Sequence, residues 1–325
     1  TCQMATRNNG RMVIVQKEKN VKNGTSPPKD VKVPGILVDL VVQVKDPKNH
    51  MQTGNTQYNE NFLRNGVKIQ AAQQEPMSLD IKKVVARRCA MQAKPSQRIM
   101  NFGIGYPEAV AAVMKEEGIE EFFSPSVEPG LVGGSAQGGL DFGAAFNPEA
   151  IIDEPYQFDF YDGGGVDCTF LGMAECDKDG NLNVSKFGPR IPGCGGFIDI
   201  SQNSKECVFC GTFTADGLKV EIKDGKVVIL QEGAVKKFIT QVEQITFNGK
   251  FESLKNKKIT LVTERAVFEL TTEGPVLTEI APGINLEKDI LAQMEFSPIV
   301  SKDLKEMDLK IFRDAPLGLR ENFIK

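Results

Sequence analysis

The stretch RIMNFGIGYPEAVAAVMKEEG, residues 98–118, reads as a strand, a glycine turn and a helix in immediate succession. Pro107 falls in the first helical turn, where a missing N–H costs nothing, and Gly118 stands where the helix should stop. A strand that runs straight into a helix predicts an α/β fold, and the flanking sequence agrees. A helix is expected from an N-cap at Ser78, with Ile81, Val84, Val85, Cys89 and Met91 as its apolar stripe. EEFFSPSVE (120–128) reads as a strand ending on Glu128. VDCTFLGMAEC (166–176) and ECVFCGTF (206–213) read as continuous apolar strands. From LKVEIKDGKVVIL (218–230) through KITLVTE (258–264) to AVFELTTEGPVLTEI (266–280) the chain is strand-rich, with Asp-Gly and Glu-Gly turns. NLEKDILAQM (285–294) reads as a short helix capped by Asn285. The expected fold is α/β, an open sheet flanked by helices, with hairpin-rich strands in the latter half.

Composition narrows the function. The 325 residues, 41% apolar and 25% charged, suffice for one large core or two ordinary ones. No apolar run reaches the roughly 18 residues of a membrane span. The first residues carry no signal-peptide pattern. The sequence starts on Thr1, which leaves open an upstream segment, an organelle address included. A net charge of −4 argues against general nucleic-acid binding. Residues 1–50 hold nine basic against four acidic side chains, and the rest thirty against thirty-nine. Such a basic arm can bind anions, phosphates included, but a solvated lysine-rich surface is the plainer reading. Seven scattered cysteines point to free thiols in a reducing compartment, so a cytoplasmic location is expected. Cys207 and Cys210 form a C-x-x-C without a second pair, and no metal site is expected from them. The single histidine, His50, lies in the polar stretch DPKNHMQTG (46–54). Acyl chemistry in this chain is therefore expected to work without a histidine base.

Three glycine turns and one carboxylate stand out. The first turn holds Gly103 and Gly105, between strand and helix, where backbone N–H groups can meet an anion. The second follows Glu128 in VEPGLVGG (127–134) and holds Gly130, Gly133 and Gly134. The third holds Gly193, Gly195 and Gly196, with Gly163–Gly165 as a companion. Each turn is explained equally by tight packing and by close approach to a ligand. Glu128 is correspondingly either a turn residue or a nucleophile. In open α/β sheets ligands bind beyond the carboxyl ends of the strands. A carboxylate placed there is expected to be ionised, since its unperturbed pKa is about 4.3. It can attack an activated acyl group without a base, provided nearby N–H groups receive the oxyanion.

Several of these segments together resemble the family I coenzyme A transferases. SVEPGLVGG (126–134) resembles that family's E-x-G-x-x-G segment, NFGIGYPEAV (101–110) its LGIGxP turn, and GPRIPGCGGFIDIS (188–201) its GxGGxxD loop. Residues 158–188, 262–270 and 274–290 also look like that family, most of all its single-chain acetate and propionate CoA-transferases. The resemblance implies that Glu128 is the nucleophile and forms a glutamyl-CoA thioester. It implies that Gly193, Gly195 and Gly196 approach the thioester, with Gly103, Gly105, Gly130 and Gly133 shaping the pocket. Acyl-CoA and short-chain carboxylates would be the substrates, with no cofactor and no metal. Single-chain members have two similar α/β halves. By that likeness residues 1–54 correspond to the end of a first half, 55–77 to a linker and 78–325 to the second half. The first half, a second copy of the chain, or both are then the expected partners. An acyl-CoA hydrolase on the same scaffold and an inactive CoA-binding fragment are the alternatives.

Overall fold

A computed structural model describes residues 2–63 and 76–324. Most of the linker expected at 55–77, residues 64–75, lies outside the described residues. The dominant element is a ten-stranded sheet. Its strands in chain order are β1 (Ile99–Phe102), β2 (Ser124–Val127), β3 (Leu131–Val132), β4 (Ala150–Ile151), β5 (Cys168–Gly172), β6 (Glu206–Cys210), β7 (Lys258–Val262), β8 (Ala266–Thr271), β9 (Gly274–Ile280) and β10 (Ile299–Glu306). Across the sheet they run β10-β9-β8-β7-β6-β5-β1-β2-β3-β4. The central five, β7 to β2, are mutually parallel. β2-β3-β4 and β7-β8-β9 continue the sheet as antiparallel hairpins.

Helices α1 (Ile81–Ala90), α2 (Tyr106–Glu116), α3 (Glu154–Asp162) and α4 (Phe197–Asn203) lie against this sheet. Strand alternation sends side chains to two cores. Met100, Cys168, Phe170, Val208 and Cys210 pack with Val84, Val85 and Cys89 of α1 and Val110 and Val113 of α2. Leu171, Cys207, Phe209, Ile259 and Leu261 pack on the other face with Tyr161 of α3 and Phe197 and Ile200 of α4. Covering both faces explains why the central strands are apolar without alternation. Cys207 and Cys210 thereby point to opposite faces.

The expected unit over 98–118 is present. α2 ends in a Schellman turn, Ile119 N–H to Met114 O (2.9 Å) and Gly118 N–H to Lys115 O (3.0 Å), with Gly118 at φ +65°. Four details differ from expectation. The 120–128 run is strand only over Ser124–Val127, and Glu120–Phe122 forms a 3₁₀ turn before it. The N-cap of α1 is Asp80, which accepts from Lys83 N, and not Ser78. Met91 is a half-exposed C-cap outside the stripe. The 166–176 run is not one strand: it leaves the main sheet after Gly172, and Glu175–Asp177 pairs with Leu182–Asn183 and Phe238–Ile239 in a separate sheet. In the first 63 residues, Ile14–Lys17 pairs in parallel with Leu40–Gln43.

Asp167 anchors the start of β1. Its carboxylate accepts from Arg98 N (2.7 Å) and Ile99 N (3.0 Å) and pairs with Lys205 (2.6 Å). Burial alone would raise its pKa, but Lys205 and the two backbone donors outweigh it and hold the carboxyl below the ordinary value. A depressed folded-state pKa contributes stability above the unfolded value near 4, and that contribution is lost as pH falls through the folded value. Asp167→Asn is therefore expected to cost about 1–2 kcal/mol at neutral pH, discounting the solvent-exposed Lys205 pair, and to flatten the acid limb of a urea-unfolding series.

Candidate active site

In chain order the sheet grows one way from β1 through α2 to β2, and later returns on the other side of β1 with β5. The β1/β5 junction is thus the point where strand order reverses, and the crevice beyond its carboxyl edge is where open α/β sheets hold ligands. Gly103 lies on that edge. Its N–H donates to Phe170 O (2.8 Å), and an added Cβ would stand 3.2 Å from the Leu171 side chain. Gly105 follows at φ +88°, facing open space, and starts α2 without a side-chain cap. Glu108 in the first turn of α2 accepts from Gly139 N (3.2 Å), so a carboxylate already sits at this positive helix end.

Glu128 stands at the carboxyl end of β2, the strand next to β1. Val127 and Leu131 are paired across the strands, so Glu128, Pro129 and Gly130 form a three-residue hairpin loop. Gly130 N–H closes the loop on Val127 O (2.9 Å). Gly130 has φ +110°, and a Cβ there would meet Ile152 O at 1.9 Å. Gly133 and Gly134 pack against Glu149 and against the Phe146–Asn147 backbone. Both line a 640 Å³ cavity with Pro125 and Gln137, and Glu128 is not among its lining residues. The glycines after Glu128 are therefore explained first by packing.

The Glu128 side chain turns toward β1. Asn101 Nδ2 of β1 donates to Glu128 Oε1 (3.4 Å) and to Ser126 O (3.1 Å). Thr169 Oγ1 of β5 donates to Asn101 Oδ1 (3.3 Å), which fixes which end of the amide faces the glutamate. Among the described residues, Oε2 of Glu128 is buried without a hydrogen-bond partner. Burial pushes the Glu128 pKa up, against weaker opposing hydrogen bonds from its own backbone and from Asn101. The carboxyl is thus less readily ionised than its unperturbed value suggests. Once ionised, it is poorly solvated, with Asn101 Nδ2 on one oxygen.

The third glycine turn approaches from the other side of α3. Gly193 N–H donates to Ser185 O (3.2 Å), and Gly193 and Gly195 have open space where a Cβ would lie. A Cβ at Gly196 would fall 2.9 Å from the Phe158 ring, and Phe158 stacks edge-on with Tyr161. Among the described residues no hydrogen bond joins this loop to Glu128; α3 connects the two. Gly163–Gly165 serves as the stop of α3, with no room for a Cβ at Gly165 beneath Phe160. Sequence reasoning passed over Asn101, Ser126, Thr169, Gln157 and Tyr161, all at most 2% exposed. The available signal was a polar residue inside each apolar strand: Asn101 in RIMNF and Thr169 in VDCTFLG.

No model of a protein family matches the chain. It is similar to acetate CoA-transferase YdiF of Escherichia coli O157:H7, 44% identical over 314 residues, which covers 97% of this chain and 58% of that protein. It is equally similar to caffeate CoA-transferase of Acetobacterium woodii, 44% over 320 residues, covering 97% and 60%. The chain thus spans less than two thirds of the length of these relatives. The crystal structure of the E. coli O157:H7 acyl-CoA transferase YdiF apoenzyme matches with a TM-score of 0.82 at 43% identity, over 97% of this chain and 58% of that one. YdiF in a thioester complex with CoA matches over the same shares at 0.81 and 42%.

Proposed function

The chain belongs to the family I coenzyme A transferases, and on that premise we propose that it moves coenzyme A between a short-chain acyl-CoA and a carboxylic acid through Glu128. The observation that carries this reading is the buried carboxylate at the carboxyl end of β2, with Asn101 on Oε1 and, among the described residues, no side-chain donor on Oε2. The carboxylate attacks the thioester carbonyl, giving an acyl-glutamyl anhydride and CoA thiolate. The thiolate attacks the glutamyl carbonyl, which releases the first acid and leaves a glutamyl-CoA thioester. A second acid reverses both steps and departs as the new acyl-CoA. One thioester replaces another, so the exchange needs no external energy source. Asn101 Nδ2 holds the oxygen that it already touches. Gly193 N–H is taken by Ser185 O, so the oxyanion would draw on the backbone N–H groups of Cys194–Gly196 in the same turn.

The YdiF structure with a CoA thioester supports the covalent route by analogy. A small acyl group, of the acetate or propionate kind, is the reading favoured by the similarity to acetate CoA-transferase YdiF. The relatives' greater length suggests that further polypeptide, in the same chain, a second chain or a second copy, completes the coenzyme pocket. Seven free cysteines fit a cytoplasmic setting.

Acceptor dependence tests the reaction. With acetyl-CoA and propionate, the protein is expected to form propionyl-CoA and acetate in equal amounts. Release of free CoA at a rate independent of propionate would make it a hydrolase instead. If the chain alone does neither, adding polypeptide equivalent to the relatives' remaining length should restore exchange. If exchange stays absent then, the reading is wrong.

A further inference from the structure

Three buried polar side chains form one lateral row across the sheet. Ser126 of β2, Asn101 of β1 and Thr169 of β5 are direct cross-strand partners, so they project from the same face. They are 2%, 0% and 0% exposed, on a face otherwise packed by Leu171, Cys207 and Phe209. Polar groups buried there are costly unless paired. The Asn101 amide is paired at both ends. Nδ2 has two hydrogens, and its two acceptors are Ser126 O (3.1 Å) and Glu128 Oε1 (3.4 Å). Oδ1 accepts from Thr169 Oγ1 (3.3 Å).

We infer, taking Glu128 as the reacting group, that Thr169 is a positioning residue that acts on it through the Asn101 amide. With the Thr169 hydroxyl in place, Oδ1 is satisfied and the amide plane is held. Without it, Oδ1 is a buried acceptor with no donor, and the amide gains by turning out of that plane. The bond to Glu128 is the longer of the two that Nδ2 makes, so it yields first. The consequence falls on one oxygen of the carboxylate. Nδ2 keeps Oε1 still, which leaves Oε2 to attack the acyl carbon. When the thiolate then adds to the glutamyl carbonyl, Oε1 is the oxygen that takes the negative charge, and Nδ2 already faces it.

The contact is read without turnover from the side-chain amide signals of protein carrying isotopically labelled asparagine. The Asn101 pair is assigned by its loss in Asn101→Ala. Its position without a charged partner is taken from Glu128→Gln, at alkaline pH. Thr169→Val, similar in shape but without a donor, is expected to move the pair to that position, and Thr169→Ser to leave it where it is. Thr169→Ala serves in the same way if the valine does not fold. Signals unmoved in the valine and alanine variants, or moved equally in serine, would reduce Thr169 to core packing and overturn the inference. The rate of CoA-adduct formation on Glu128 should fall about 10-fold in Thr169→Val and return to within about 2-fold in Thr169→Ser. In Asn101→Ala the valine should cost nothing further, because the route through the amide is already cut. An undiminished loss in that background would also overturn the inference. If the unsubstituted protein formed no adduct even with the relatives' remaining length supplied, Glu128 would fall as the reacting group and the role of Thr169 with it. Moved amide signals would then still show the contact itself.

Discussion

Glu128→Gln should abolish coenzyme A exchange, by about 10⁴-fold or more, because covalent catalysis has no second carboxylate to fall back on. Incubation with acyl-CoA followed by intact mass should show a CoA-sized increase on the Glu128 peptide of the unsubstituted protein and none on the variant. Glu128→Asp keeps the charge but draws it back by about one methylene, and a loss near 10²-fold is expected from that misplacement. The Gln substitution should not weaken the fold. The Glu128 pKa is raised by burial, so the native state prefers the protonated form. A raised folded-state pKa means that stability is present below the unfolded value and declines as pH rises through the folded one. At neutral pH the ionised Glu128 therefore costs stability, and its neutral amide replacement relieves that cost. Glu128→Gln is expected to melt at or above the temperature of the unsubstituted protein while losing activity. A variant that lost activity together with its fold would say nothing of a nucleophile. One that kept exchange would remove Glu128 from the mechanism.

What the sequence made legible were features written in local chemistry. Gly118 stops α2, Asn285 caps its helix by accepting from Lys288 N, and Glu128 falls at a strand end, each from a signal within a few residues. The Asp224-Gly225 hairpin between Lys219–Lys223 and Lys226–Gln231 belongs with them. The helix α3 was not legible, for a physical reason: its buried residues are Gln157 and Tyr161, so it carries no apolar stripe to find. α1 departs in the opposite sense. Its basic residues are held rather than solvated: Lys83 pairs with Glu116 (2.7 Å), Arg88 with Glu279 (2.6 Å), and Arg87 donates to the Ile311 and Ala315 carbonyls (3.4 and 3.1 Å). For the two arginines the partners lie some 190 to 230 residues away, which makes those burials tolerable, and no local pattern announces them. The same holds for the site. The glutamate was visible because its loop is unusual, whereas the amide that orients it came from another strand.

Gly130→Ala should damage both fold and chemistry, and it separates the two readings of the glycines after Glu128. A methyl group at this position would meet a backbone oxygen, Ile152 O, at 1.9 Å, and backbone cannot swing aside as a flexible side chain can. Ile152 N–H also donates to Gly130 O (2.9 Å), so the two segments are tied where they would have to part. Overpacking of this kind costs about 1–3 kcal/mol, and an L-residue at positive φ adds about 1–2 kcal/mol. The loop has three residues, so any shift of Gly130 passes directly to Glu128. A displacement near 1 Å is expected to lower the rate of CoA-adduct formation by about 10²-fold, beyond what the folded fraction explains. Gly225→Ala is the control, at φ +73° with open space around it and in a hairpin remote from the site. It should lose about 1–2 kcal/mol in chemical denaturation and keep its adduct rate. If Gly130→Ala behaved like Gly225→Ala, losing stability alone, the close fit at Gly130 would serve the β2–β3 hairpin and not the placement of the carboxylate. If its adduct rate falls as expected, the tight turn and the nucleophile are one device: the chain accepts an awkward loop because that loop sets where Glu128 stands.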